Sequence, residues 1–218
     1  MKETMKLVIS LGLVCAIGCA ALALVNEKTA SARSEVKRKI LNDNLLMTLP
    51  ADIKCVFDEK MTKNFETEDG EPVVFHRAYD EKYNLVAVVA ETSAHGFGGI
   101  IRLLVSIDAA TSKISRVVVT EHKETPGLGS QATERKVEKS LWKSSELKEG
   151  ELPPNAYLDG SFAGKEVMEF ERVKAASPEH PEQVEAVSGA TYSSHGVLTA
   201  VNLACRTFLA HRDEILKQ

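Results

Sequence analysis

The sequence has little that would hold a fold together covalently. Its four cysteines, at 15, 19, 55 and 205, split between an apolar run and two distant positions, so no disulfide framework of the small secreted kind is present. Aromatic residues make up 6% of the chain, with one Trp, and the net charge is −4. A basic surface with interleaved aromatics is missing, which excludes the usual nucleic-acid footprint. No internal repeat and no low-complexity stretch occurs. What remains is a chain of 218 residues, 44% hydrophobic and 27% charged, enough for one globular domain plus an appendage.

The appendage is the run Leu7–Val25, "LVISLGLVCAIGCAALALV", which carries no charge. As a helix it spans roughly 28 Å, about the thickness of a bilayer core. Three readings compete: an uncleaved anchor, a signal peptide cleaved after Ala30-Ser31-Ala32, and a lipoprotein signal ending at Cys19. The run exceeds a usual signal core, which favours the anchor. Cys15 and Cys19 fall on one face of it, beside the small residues Gly12 and Gly18, and read as a helix–helix contact. Residues 1–39 hold seven Lys/Arg against three Asp/Glu, and the remainder carries −8. A positive-inside count therefore places the large domain in the cytoplasm.

Beyond the run, residues 33–49 read as a polar helix stopped by Leu49-Pro50. Val- and Ile-rich segments at 53–57, 73–79, 83–91, 100–108 and 113–121 read as strands, with turn residues between them. A helix is expected from Gln131 to Trp142, a loop over 150–166, a short strand at Val167–Phe170 and a surface loop at 175–183. The last helix is expected from Tyr192 to Lys217, because Val197, Leu198, Val201, Ala204, Cys205 and Phe208 recur at helical spacing. Cys55 and Cys205 read as buried small apolar residues. The class is α+β, an antiparallel sheet with helices packed to one side.

Three clusters stand out. "HGFGGII" at 95–101 sets three glycines around Phe97 and reads, alone, as a hairpin corner. "HKETPGLG" at 122–129 is a loop able to present backbone N–H groups, with Leu128 as an apolar wall. "SGATYSS" at 188–194 crowds hydroxyls at the start of the last helix, where free N–H groups and the dipole favour phosphate. It is neither a nucleotide phosphate loop, since no Lys follows, nor a hydrolase elbow. A plain helix cap is the bland alternative.

These motifs resemble the FMN-binding subunits of bacterial ion-translocating redox complexes. "SGAT" with Tyr-Ser-Ser is similar to the site where a flavin transferase, using FAD, attaches FMN to the Thr hydroxyl as a phosphoester. "HKETPGLG" and "GFGGIIRLLVSID" match the other hallmarks, and the resemblance covers nearly the whole chain. Two families share them: the G-type subunit of the Rnf complex and the usually longer C-type subunit of the Na⁺-translocating NADH:quinone reductase. The length favours the first.

The resemblance implies an anchor over 1–27, a juxtamembrane helix or linker over 28–50 and an FMN-binding domain over 51–218. It makes Thr191 the covalent site, shaped by Ser188, Gly189 and Ala190, with Thr125, Gly127, Leu128 and Gly129 meeting the ribityl chain or ring and Glu124 orienting their loop. Glu185 stands six residues before Thr191, where the transferase pattern usually has Asp; the charge is kept and one methylene is added. No residue is assigned acid–base catalysis and no metal site is expected. The implied work is electron relay by FMN in a complex coupling ferredoxin and NAD chemistry to Na⁺ or H⁺ transport, with integral membrane and iron–sulfur subunits as partners. The alternatives are the quinone-reductase subunit, a stand-alone flavoprotein reductase, and a non-redox tethered binding protein. The family places the domain on the outer face of the cytoplasmic membrane, against the charge count, and the resemblance is followed.

Overall fold

The structure, a computed structural model, describes residues 2–49, 55–57, 61–67, 72–136 and 152–217. The chain divides into two units, Met1–Asp43 and Asn44–Gln218. Helix α1 runs unbroken over Lys2–Met47. The apolar run and the polar segment after it are thus one helix, about 69 Å long at the α-helical rise. The stretch Thr4–Ala30 is, by length and composition, long and apolar enough to cross a membrane. Its hydroxyls are satisfied locally: Ser10 donates to the Leu7 carbonyl at 2.9 Å and Thr29 to the Val25 carbonyl at 2.7 Å.

The second unit is built on a six-stranded sheet. Its strands are β1 Val56–Phe57, β2 Lys63–Glu66, β3 Pro72–Tyr79, β4 Leu85–His95, β5 Ile100–Asp108 and β6 Ile114–Glu121. All neighbours are antiparallel in the order β1-β3-β4-β5-β6, with β2 also pairing β3. Strands β3 to β6 form a meander, and Val and Ile at alternate positions give each strand an apolar face. Helices α2 Ser130–Thr133, α3 Ala156–Phe162, α4 Thr191–Ala210 and α5 Arg212–Leu216 complete the unit, with a parallel pair, β7 Glu171–Val173 and β8 Gln183–Glu185. The long helix α4 lays Val197, Val201, Ala204, Cys205 and Phe208 into one core with Phe75, Val88, Leu103 and Val105 of the sheet. Burial pushes the Cys205 thiol up to about 12, so it behaves as the inert apolar residue expected. The opposite sheet face is covered too: Ala87, Val89, Leu104 and Ser106 are buried. Leu45 and Leu49 are also buried, and Arg116 donates to the Met47 carbonyl at 2.9 Å.

Strands at 100–108 and near 73–79 and 113–121 form as expected, β4 extends to His95, and the lysine-bearing β2 was not foreseen. Of the 53–57 strand, residues 53 and 54 lie outside the described residues. The helix expected from Gln131 to Trp142 ends at Thr133; residues 137–142 lie outside the described ones. Glu134 is extended, and Asn155 donates to the Gln131 and Glu134 carbonyls at 3.2 and 2.7 Å. A side chain distant in sequence therefore satisfies the helix end. The same Asn155 opens α3 inside the supposed 150–166 loop, accepting from the Leu158 N–H at 2.8 Å. Val167–Phe170 is no strand. Its end is held by a side-chain amide: Asn202 of α4 accepts from the Phe170 N–H and donates to its carbonyl, both at 2.8 Å. The last helix breaks at His211, whose ring packs 4.5 Å from that of Phe65.

Arg135 ties these pieces together. Its guanidinium grips both Asp159 oxygens, at 2.6 and 2.8 Å, and reaches the Val117 carbonyl at 2.8 Å. Burial pushes the Asp159 carboxyl up, but the Arg135 and Asn155 hydrogen bonds and the nearby Arg charges outweigh it and hold it below its ordinary value of 3.8. A depressed carboxylate contributes stability that is present above that ordinary value and is lost as pH falls through the folded one. Thermal unfolding followed from about pH 6 down to about pH 2 is expected to show an acid loss of stability that Asp159→Asn reduces, with the variant already less stable at neutral pH.

Candidate functional site

Helix α4 begins without a side-chain cap. Its cap residue is Ala190, and the first intrahelical bond runs from the Ser194 N–H to the Ala190 carbonyl at 2.8 Å. The N–H groups of Thr191, Tyr192 and Ser193 have no hydrogen-bond partner among the described residues. The hydroxyls of Ser193 and Ser194 are used elsewhere. Ser194 Oγ accepts from the Val187 N–H at 3.0 Å. Ser193 Oγ donates to Glu124 Oε2 at 2.5 Å. Both serines are buried, whereas Thr191 and Ser188 are exposed and their hydroxyls have no partner among the described residues. A burial-raised phenol, Tyr157, donates to the Ser194 carbonyl at 2.8 Å and fixes this turn against α3.

Glu124 lies beneath the turn. It is 5% exposed, and Oε1 accepts from the Gly98 N–H at 3.0 Å while Oε2 takes the Ser193 hydroxyl. One carboxylate thus joins the β4–β5 turn, the loop after β6 and the first turn of α4. No Lys, Arg or His pairs with it among the described residues. Its Oε2 instead lies against the first turn of α4, the positive end of that helix's dipole. The glycines of two motifs follow from this. A Cβ at Gly96 would collide with Glu124 Oε1, and one at Gly129 with Glu124 Oε2 and Ser193 Oγ. The three clusters that stood apart in the sequence converge on one buried group.

Above it opens a cavity of about 310 Å³, lined by Phe97, Glu124, Thr125, Leu128, Gly129 and by residues 189–193. Seven of the residues singled out in the sequence line it: Glu124, Thr125, Leu128, Gly129, Gly189, Ala190 and Thr191. Ser188, Gly127 and Glu185 do not. Glu185 is exposed at the end of β8. The loop 122–129 differs from expectation in one respect. The Gly127 N–H donates to Ser130 Oγ at 3.0 Å and the Leu128 N–H to the Thr125 carbonyl at 3.2 Å. Those donors are consumed within the loop, which offers the cavity its Leu128 side chain rather than a row of free N–H groups. Sequence reasoning missed Phe97, Tyr192 and Ser193 as lining residues. The trace it held was the phenylalanine set among three glycines.

Free donors at a helix start suit a phosphate, and an apolar mouth suits a flat ring. That pairing defines a nucleotide- or flavin-binding domain, and the comparisons with known proteins are specific. The FMN-binding domain family matches residues 96–206, and the chain belongs to it. It is 28% identical to the G-type subunit of the ion-translocating oxidoreductase complex of Methanosarcina acetivorans, over 93% of each chain. It is 25% identical to the G-type subunit of the Na⁺-translocating ferredoxin:NAD⁺ oxidoreductase complex of Acetobacterium woodii, over 95% of this chain and 92% of that one. The corresponding G-type protein of Pseudomonas aeruginosa is 27% identical over 99% and 93%. The crystal structure of Shewanella oneidensis NqrC superposes with a TM-score of 0.47 at 18% identity, covering 80% and 74%. With its one membrane-length helix among the described residues, the chain is a membrane-anchored, single-pass FMN-binding protein.

Proposed function

We propose that this chain is the flavoprotein subunit of an Rnf-type ion-translocating oxidoreductase complex. In this reading it carries FMN on Thr191 through a phosphoester and relays electrons between neighbouring subunits. The relatives support the assembly: each is the G-type component of an ion-translocating or Na⁺-translocating complex, aligned over nearly the whole chain. One structural observation carries the attachment site. Among the described residues, the exposed Thr191 hydroxyl and the three N–H groups at 191–193 beside it, at the start of a 20-residue helix, have no partner.

The FMN supplies reversible electron storage. The chain's own residues do the rest. Thr191 Oγ accepts the FMN phosphoryl group: its O–P bond forms, the pyrophosphate bond of FAD breaks, AMP leaves and the hydroxyl proton is released. The N–H groups at 191–193 would hold the phosphate oxygens, and Ala190 with Gly189 leaves room for them. Ser188 and Gly127 lie off the cavity and shape its two loops from outside. Glu124 keeps the loop with Thr125, Leu128 and Gly129 against α4. A phosphoester tether retains the cofactor without altering the ring's electronics, which suits a relay. Maturation then requires a flavin transferase that reads the segment around Glu185, and the domain faces the outer side of the membrane with the N-terminus inside.

The test is ultraviolet fluorescence of the protein band after denaturing electrophoresis, with the chain co-expressed with a flavin transferase. The wild-type band is expected to fluoresce, and Glu185→Asp to match it. A band dark in both would overturn covalent attachment. A band dark only in the wild type would show that Glu185 blocks recognition. Copurification with integral membrane subunits tests the complex.

A further inference from the structure

Three large apolar side chains that the second unit leaves in solvent gather at one cavity. Phe97 is 74% exposed, Tyr192 72% and Leu128 54%, and all three line the space beside Thr191. They come from three segments far apart in sequence. The Phe97 and Tyr192 rings face each other at 6.3 Å between centroids, with planes tilted by 49°. Neither ring hangs from loose backbone. The turn bearing Phe97 is closed by the Gly96 N–H on the Gly99 carbonyl at 2.8 Å and pinned at Gly98 by the buried Glu124. Tyr192 belongs to the first turn of α4, whose next two residues are buried. Rigid segments therefore hold two aromatic rings in water, which is unfavourable in proportion to the apolar area left uncovered.

A flat aromatic ring next to Thr191 fits this cover, because aromatic rings pack against one another in offset-stacked or edge-to-face contact. We infer that Phe97 and Tyr192 clasp the isoalloxazine ring of the FMN carried by Thr191, with Leu128 as the third contact. The inference rests on the covalent reading above. It assigns the ring end of the site to residues outside the attachment motif and the loop 122–129. A clasp of surface side chains holds the ring at the protein boundary, where a neighbouring protein of the complex can exchange electrons with it.

The experiment uses the full chain in detergent, co-expressed with a flavin transferase, as wild type, Phe97→Leu, Tyr192→Leu and Tyr192→Phe. In-gel fluorescence first reports attachment. Native emission and its anisotropy then report the clasp, since a phenol touching an excited flavin quenches it by reversible electron transfer. All four bands are expected to fluoresce in the gel. Natively, Tyr192→Leu is expected to raise emission several-fold and lower anisotropy. Phe97→Leu is expected to lower anisotropy. Tyr192→Phe keeps the ring but loses the electron-rich phenol, so it is expected to raise emission at wild-type anisotropy. Leucine variants that carry flavin yet match the wild type in both readouts would overturn the clasp and leave the patch as a protein-docking surface. A band dark both in the wild type and in Glu185→Asp would instead overturn the covalent reading beneath it.

Discussion

Thr191→Ala is expected to yield a folded, membrane-inserted protein whose band stays dark in the gel, with covalent flavin reduced to background. The structure separates this loss from a loss of fold. The Thr191 side chain is exposed, and its hydroxyl bonds to nothing among the described residues. Alanine is also a better helix former than β-branched Thr. The apo variant should therefore unfold within about 0.5 kcal/mol of wild type, as exposed substitutions usually do. The neighbouring hydroxyls serve as controls. Ser188→Ala removes the other exposed one and should leave the band fluorescent. Ser193→Ala removes a buried hydroxyl bonded to Glu124 and should cost stability while keeping the flavin. A fluorescent Thr191→Ala band would sink the assignment.

The contrast between these serines and Thr191 marks where the sequence stopped being readable. Hydroxyls in "SGATYSS" could be seen, as could their place at a helix start. Which of them are committed to the protein's own hydrogen bonds depends on Val187 and Glu124, and the second lies 69 positions from its partner. The meander was legible because alternating Val and Ile are local evidence of a buried face. The short α2 was not, because Asn155 and Arg135 end it through contacts that span 18 to 24 residues. Asn155 did carry a local sign, an N-cap residue following two prolines, that α3 begins there. The anchor was legible from its length and lack of charge. That it continues unbroken to Met47 follows from the absence of Gly and Pro between Asn26 and Met47, which the expected stop at Leu49-Pro50 nearly captured.

Glu124→Ala is expected to be the most destabilising of the site substitutions. It leaves the Gly98 N–H and the Ser193 hydroxyl without their acceptor, in a position 5% exposed. Gly98 is exposed, so water can replace its lost acceptor, and the buried Ser193 hydroxyl sets the cost at about 1–3 kcal/mol, that of an unsatisfied buried polar group. For a domain of this size that lowers the melting temperature by roughly 2–12 °C. Glu124→Gln separates the two ways the carboxylate can work. Its carbonyl oxygen still accepts from Gly98, and its amide can donate to Ser193 Oγ, so geometry survives while the charge goes. If acceptor geometry holds the three segments together, Gln should recover most of the loss and retain fluorescent, clasped flavin. If the negative charge against the start of α4 is what matters, Gln should melt as low as Ala. Thermal unfolding by circular dichroism, with flavin anisotropy on the same samples, decides between them. The expected result is recovery by Gln, because Oε1 and Oε2 each meet one donor and no cation pairs with either oxygen among the described residues.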